Sequence, residues 1–404
     1  MDNFKVKLTT KWNEFKVSQG FKNITASLLA ILLGILLGII IILITNIGNS
    51  GLGISRLLLG AFNNPRGAWI GIGQLLYRVT PLVFTGLAVA FAFKTGVFNI
   101  GASGQYTMGL FVAAIVGILG DNLGFMQWPI ALLAGGLAGA LWGALSGVFK
   151  ALFNVNIVIS GIMLNYIGMF LVNGMLGGFL RPYMVDGAQN RTITVDQAAR
   201  TPYALLDKIF PNSGLDFGII LAIGFVVLIW FVLNKTVFGR ELKSVGMNRD
   251  AAKYAGVNEK RAIILSMAIA GFLAGIGGAL FILAPSIRNL GNQYSLENVI
   301  LGAGFDGIPI ALLGNSHPVG VFFAALFVQY IKLSGDPLQS LGYASEIVNL
   351  IIAVILYFSA FALIISQYVT KLRKKKNNQV NDDSNKDNGV IPPEKPSKTE
   401  EVIL

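Results

Sequence analysis

The chain has 404 residues, of which 54% are hydrophobic and 13% charged; its net charge is +11 and its mean hydropathy +0.66. Soluble domains carry roughly 25% charged residues, so this composition predicts an all-α polytopic membrane protein. Cysteine is absent and His317 is the single histidine, which excludes a disulfide framework, a thiolate nucleophile, a zinc site and histidine-based catalysis.

The basic residues sit at the flanks of apolar runs, so the net charge points to a lipid bilayer and not to nucleic acid. Residues 1–25 are polar and basic (Lys5, Lys7, Lys11, Lys16, Lys22). The apolar run behind them, 26–47, is too long for a cleavable signal core and predicts an uncleaved first helix. A glycine- and arginine-containing segment, 48–73, is expected to lie on the outer surface. Nine further candidate spans follow: 75–93, 100–119, 129–149, 157–176, 217–233, 262–283, 299–313, 319–331 and 347–365. The first of these carries Pro81, which implies a kink, and Arg78, which can snorkel. The eighth and ninth spans overall are short, which leaves a re-entrant hairpin open.

Ten alternating spans from an inside N-terminus place Lys94, Lys150, the 234–261 loop and the basic run 371–376 in the cytoplasm. About ten transmembrane helices with both termini cytoplasmic is therefore the coherent solution. The domains are then a basic cytoplasmic segment (1–25), a transmembrane domain (26–370) and a tail (371–404). The tail is polar, charged and proline-bearing, so it is expected to be disordered.

Small and polar residues interrupt the apolar runs in a pattern. Gly135, Gly139, Gly143 and Gly147 recur every fourth residue, and Gly271 and Gly275 lie in the run at 262–283. Lipid gives helices no hydrophobic reason to associate, so such smooth faces are expected to pack backbone against backbone. The stretch GVFNIGASGQ, 96–105, sets Asn99 and Gln105 among three glycines, where side-chain amides can satisfy freed backbone groups. Asn165 lies inside a span, and Asp306 lies among Gly302, Gly304, Gly307 and Pro309, a predicted helix break. Buried polar groups in spans mark pathways or fasten helices. Asn99, Gln105, Asn165 and Asp306 are the expected pathway set.

The 234–261 loop carries seven basic residues between two apolar runs. Asp250 suits a helical first turn, Ala251, Ala252 and Ala255 favour helix, and Gly256 suits a stop. A short helix beneath the membrane with small residues on its surface is a docking surface.

Five stretches together carry a resemblance. Asp250-Ala251-Ala252, three free positions and Gly256 resemble the cytoplasmic signature of permease subunits of ATP-binding-cassette importers. The fuller signature ends in Ile-x-Leu-Pro, where this chain reads Ser266-Met267-Ala268-Ile269. That departure fits the branch importing sugars, nucleosides or branched-chain amino acids. The 96–105 stretch resembles that branch's G-x-F-N-I-G-x-x-G-Q signature, as do Met163-Leu164-Asn165-Tyr166 and the run from Gly307 to Gly314. The string RELKSVGMN, 240–248, is most similar to permeases of nucleoside importers that work with a basic-membrane-protein type binding lipoprotein.

The resemblance implies a permease paired with a second permease chain, ATPase subunits and an extracytoplasmic binding lipoprotein. It implies that Arg240, Glu241, Gly246, Asp250, Ala251, Ala252 and Gly256 couple to the ATPase. No Gly-x-x-x-x-Gly-Lys-Ser/Thr loop is present, so no cofactor is expected in this chain, ATP and Mg²⁺ belonging to the partner subunits. Monosaccharide and branched-chain amino acid cargo stay open beside nucleosides. An ion-coupled secondary transporter would also explain ten spans and broken helices. It requires intramembrane carboxylates in coupling positions, and no such pair is evident. An intramembrane enzyme lacks a catalytic constellation.

Overall fold

The computed structural model describes residues 19–358, except 65, 66, 288, 289, 345 and 356. Ile31–Phe358 form one compact unit; the second unit, Met1–Ala30 with Ser359–Leu404, is described only over residues 19–30. The predicted tail, the basic run at 371–376, most of the basic N-terminal segment and the end of the tenth predicted span lie outside the described residues.

Long apolar runs become helices because a helix satisfies every backbone group within its own segment. In chain order they are α1 (Gln19–Thr45), α2 (Ser50–Leu59), α3 (Ala68–Lys94), α4 (Ala102–Leu119), α5 (Gln127–Phe153) and α6 (Ile157–Gly177). Then follow α7 (Gly218–Lys235), α8 (Val237–Met247), α9 (Arg249–Tyr254), α10 (Glu259–Leu283), α11 (Gly302–Phe305), α12 (Gly307–Leu313), α13 (Pro318–Leu333), α14 (Gly335–Gln339) and α15 (Glu346–Ile355). Seven of the described helices are long and apolar enough to cross a membrane. The predicted span at 299–313 is instead the short pair α11 and α12, broken at Asp306. The first helix starts at Gln19, seven residues before the expected boundary at 26.

Local chemistry sets the turns. Asn154 takes a left-handed conformation (φ 53°) to end α5, and the Asn156 side chain accepts from the Val158 amide at 2.9 Å to start α6. Between α6 and α7 a hairpin pairs β1 (Val185–Asp186) with β2 (Arg191–Thr192). Arg191 bridges to Ser295, and the Thr192 amide donates to the Tyr294 carbonyl at 2.9 Å. The two loops that follow α6 and α10 are thereby tied together at the same end of the bundle.

The centre is the group α4, α5 and α10. A Cβ on Gly139 would stand 2.3 Å from the Gly271 carbonyl oxygen, and one on Gly143 would stand 2.3 Å from that of Met267. Gly147 faces Ile264 Cα at 3.0 Å, and Gly275 faces the Gly135 carbonyl at 2.6 Å. Gly135 in turn faces the Gly109 carbonyl of α4 at 2.7 Å, and Gly278 that of Tyr106 at 2.1 Å. Except at Gly147, where the fit is merely tight, only hydrogen fits at these crossings. The opposite face of α5, with Leu133, Leu137, Leu141 and Leu145, is exposed, as expected of a helix whose other side meets lipid or a partner.

A leucine at position 139 must separate α5 from α10. Gly139→Leu is expected to destabilise by about 3 kcal/mol or more. Gly224 on α7 has nothing within 4 Å of a would-be Cβ. Gly224→Ala should therefore leave stability unchanged or slightly raised. Thermal unfolding of the purified protein in detergent checks both, and equal midpoints for the two variants would refute the close-packed crossing.

Candidate functional site

The stretch 96–105 links α3 to α4. The Thr95 and Ser266 hydroxyls hydrogen-bond at 2.7 Å, tying the end of α3 to α10. Gly96 turns the chain with φ 71°, and Phe93 and Phe98 stack at 5.2 Å between centroids. Asn99 and Gln105 then pair reciprocally: Asn99 Nδ2 donates to Gln105 Oε1 at 2.9 Å, and Gln105 Nε2 donates to Asn99 Oδ1 at 3.1 Å. Asn165 reaches across from α6, its Oδ1 accepting from the Gly104 amide at 2.7 Å and its Nδ2 donating to the Ile100 carbonyl at 3.0 Å. All three side chains are buried.

The expected pathway set therefore divides. Asn99, Gln105 and Asn165 come together as a dry network whose amide groups are engaged with one another or with backbone. None of the three lines the main cavity. Unpaired, each group would cost about 1–3 kcal/mol, so the network closes the space between α3, α4 and α6.

Asp306 is placed differently. It lines a cavity of about 490 Å³ with Tyr77, Tyr106, Asp216, Asn292 and Gln329 among its walls. Asp306 stands at the α11–α12 junction and pairs with Lys332 Nζ of α13 at 2.6 Å. Asn292 Nδ2 donates to the Tyr77 hydroxyl at 2.8 Å and to the Phe281 carbonyl at 2.6 Å. The Tyr106 and Phe281 rings lie 6.5 Å apart. The wall is thus aromatic and amide-rich, with one ion pair and one lone carboxyl. Arg78 lines both this cavity and a second of about 330 Å³ beside α2 and α14.

Asp216, the lone carboxyl, stands just before the predicted span 217–233 and is not among the expected site residues. It is 2% exposed and sits two residues before α7. Its Oδ2 accepts from the Thr201 hydroxyl and its Oδ1 from the Gly218 amide at 3.3 Å, with no cation paired to it among the described residues. Burial pushes its pKa up to about 7, against the opposing pull of those two donors.

The charged segment is three capped helices. Thr236 Oγ1 accepts from the Gly239 amide, Asn248 Oδ1 from Ala251 and Asn258 Oδ1 from Arg261, each at 3.0 Å. Gly256 closes α9 with φ 82°, the Val257 amide donating to the Ala252 carbonyl at 3.0 Å. A Cβ at 256 would meet nothing within 4 Å, so the glycine is needed for its backbone and not for a contact. Arg240, Glu241, Asp250 and Ala251 are exposed, whereas Ala252 is buried at 3%. Ala252 packs inward, so the open small residue of the pair is Ala251. Met247 and Tyr254, 83% and 93% exposed, are the large side chains on this surface and are not among the expected coupling residues. Gly246 lies against the pathway motif: its would-be Cβ stands 2.3 Å from the Lys94 carbonyl and 3.0 Å from the Gly96 amide nitrogen.

Asp216 gives a pH dependence with a definite sign. Its raised folded-state value means the folded protein holds this proton more tightly than the unfolded chain, whose carboxyl titrates near 3.8. Its contribution is full below about pH 4 and is lost as pH rises to about 7. Asp216→Asn should therefore show a shallower fall in thermal midpoint across that window than the native protein. Parallel midpoint–pH curves for the two would refute the buried, unpaired carboxyl.

Residues 71–379 match the family described as branched-chain amino acid transport system / permease component. The chain is 36% identical to the guanosine ABC transporter permease NupP of Bacillus subtilis, over 75% of this chain and 85% of that protein. It is 33% identical to the nucleoside ABC transporter permease NupB of Lactococcus lactis, over 80% and 86%. It is 29% identical to the glucose ABC transporter permease TsgB13 of Haloferax volcanii, over 75% and 78%. With its apolar spans and its two glycine-rich motifs, the chain belongs to this family of integral membrane permeases.

Proposed function

We propose that this permease forms the translocation pathway of an ATP-driven importer whose cargo is nucleosides. The observation that carries the reading is the cavity of about 490 Å³ in a chain 36% identical to a guanosine permease. Its size falls within the roughly 300–1,000 Å³ of small-molecule sites. Its wall offers what a nucleoside needs: Tyr106 and Phe281 for the planar base, and Asn292, Gln329 and Asp216 for amide and hydroxyl groups. A monosaccharide is the second reading, favoured by the likeness to the glucose permease.

In this proposal two permease chains enclose the pathway and an extracytoplasmic lipoprotein delivers cargo. Separate ATPase subunits hold ATP and Mg²⁺, and this chain performs no chemistry of its own. Ten segments cross or enter the membrane, with both termini in the cytoplasm. The charged α8–α9 segment faces the ATPase, presenting Ala251, Asp250, Tyr254 and Met247 as its contact surface. Gly246 conveys displacement of α8 to the Lys94–Gly96 turn by direct backbone contact.

Single cysteines in this cysteine-free chain test the topology. An impermeant thiol reagent applied to intact cells should label position 190 and miss positions 248 and 388. Labelling at 248 would reverse the assignment.

Uptake of radiolabelled guanosine tests function and coupling together. Unlabelled nucleosides should compete, while glucose and leucine should not. Ala251→Arg should cut uptake by an order of magnitude or more with membrane abundance unchanged, because the arginine clashes in the partner's cleft without disturbing this chain's packing. Competition by glucose alone would favour the monosaccharide reading, and full uptake by Ala251→Arg would remove the docking assignment.

A further inference from the structure

A third cavity, about 420 Å³, lies at the opposite end of the bundle from Asp216, where the charged segment meets the ends of α3, α7 and the start of α13. Its lining includes Lys94, Lys243, His317 and Asn234, and no acidic residue. Lys94 ends α3, Lys243 lies on α8, and His317 precedes the first turn of α13. Neither lysine nor the histidine has a carboxylate within 4.0 Å among the described residues. Lys243 Nζ donates to Asn234 Oδ1 at 2.8 Å, which orients the ammonium without neutralising it. Partial burial, together with the two lysines, holds the His317 imidazole below its usual value. The two ammonium groups, from α3 and α8, repel each other and disfavour charge on the imidazole, and an anion among the three would add an attraction that offsets this. The sixteen-residue α13 also opens here, adding the positive end of its dipole.

We propose that this pocket binds the phosphate group of a phosphate ester, bridging α3, the charged segment and α13. Two sources share that chemistry: the headgroup of an anionic phospholipid, and a soluble phosphomonoester in the cytoplasm. The assignment of the pocket to the cytoplasmic side rests on the topology proposed above; binding itself does not. A bound phosphate would tie Lys243 of α8 to Lys94 beside the Gly246 contact, stiffening the joint through which α8 acts on the pathway motif.

Thermal unfolding of the purified full-length chain reads this directly. One arm titrates inorganic phosphate against sodium chloride at matched ionic strength, in uncharged detergent. The other compares phosphatidylcholine nanodiscs with and without phosphatidylglycerol. A midpoint rise in the phosphate arm identifies a soluble ester as the source, and a rise in the lipid arm alone identifies a headgroup. In either case Lys243→Gln and His317→Gln should each weaken the apparent affinity on the order of tenfold, the effect of losing one charge-assisted contact. Lys253→Gln, an exposed lysine on α9 outside the pocket, should keep the full shift. If Lys243→Gln lowers the midpoint before any ligand is added, His317→Gln decides. No shift in either arm, or the same shift in the pocket variants as in Lys253→Gln, overturns the proposal. Because the readout is binding to isolated protein, it can fail while nucleoside uptake holds, and the reverse.

Discussion

The structure depends on backbone-to-backbone contact between α5 and α10, with α4 as the third member. Lipid supplies no hydrophobic pressure between helices, so association rests on dispersion, weak Cα–H contacts and the shape of the faces. Here the faces are smooth because glycine occupies each crossing: Gly135, Gly139, Gly143 and Gly147 on one helix, Gly271 and Gly275 on the other, Gly109 between them. Every other element is placed relative to this spine. α3 lies on α10 through Gly277, whose would-be Cβ stands 3.0 Å from the Pro81 carbonyl. α11 lies on α4 through Gly304 against Ser103, and α12 on α3 through Gly307 against Thr85. The cavity is what remains between α3, α10 and the broken α11–α12 pair once these contacts are made.

The same spine joins the two ends of the molecule. α10 begins at the Asn258 cap of the charged segment and ends at Leu283, whose carbonyl accepts the Thr201 amide beside Asp216. Its Ser266 holds Thr95 at the exit of α3, and Gly246 presses on Lys94 and Gly96 to either side of it. The charged segment therefore meets the turn after α3 twice, once through Gly246 of α8 and once through Ser266 of α10.

Spans were legible in the sequence because a charge-free apolar run of about 20 residues has few other fates. Their ends were less so: α3 begins at Ala68 and α5 runs on to Phe153, since a helix continues past the apolar stretch until a residue such as Asn154 turns it. The glycine positions on α5 were legible from their spacing alone, whereas their partners needed the fold. Asn99, Gln105 and Asn165 could be singled out as costly to bury, but not sorted. Whether such a group meets water or another amide depends on a partner as much as sixty residues distant, as Asn165 is from Gly104. Asp216 gave no signal, because an acid at the border of a span is ordinary until Thr201 and Gly218 enclose it. Ala251 and Ala252 were inseparable for a related reason. Adjacent helical residues differ by about 100° in direction, and in a six-residue helix only the neighbours fix the phase.

The amide network beside the cavity has an electrical meaning. Gln105 directly precedes Tyr106, a cavity wall residue, and with Asn99 and Asn165 it makes a buried layer in which side-chain dipoles answer one another. A membrane voltage falls most steeply where hydration is least, so a buried layer of this kind would concentrate the field over a few residues. A free ion crossing that layer would exchange about 2.3 kcal/mol with each 100 mV, on top of losing its hydration. An uncharged solute exchanges none. A layer of paired amides without a charged side chain thus opposes a free ion electrically and sets no such barrier to a neutral solute.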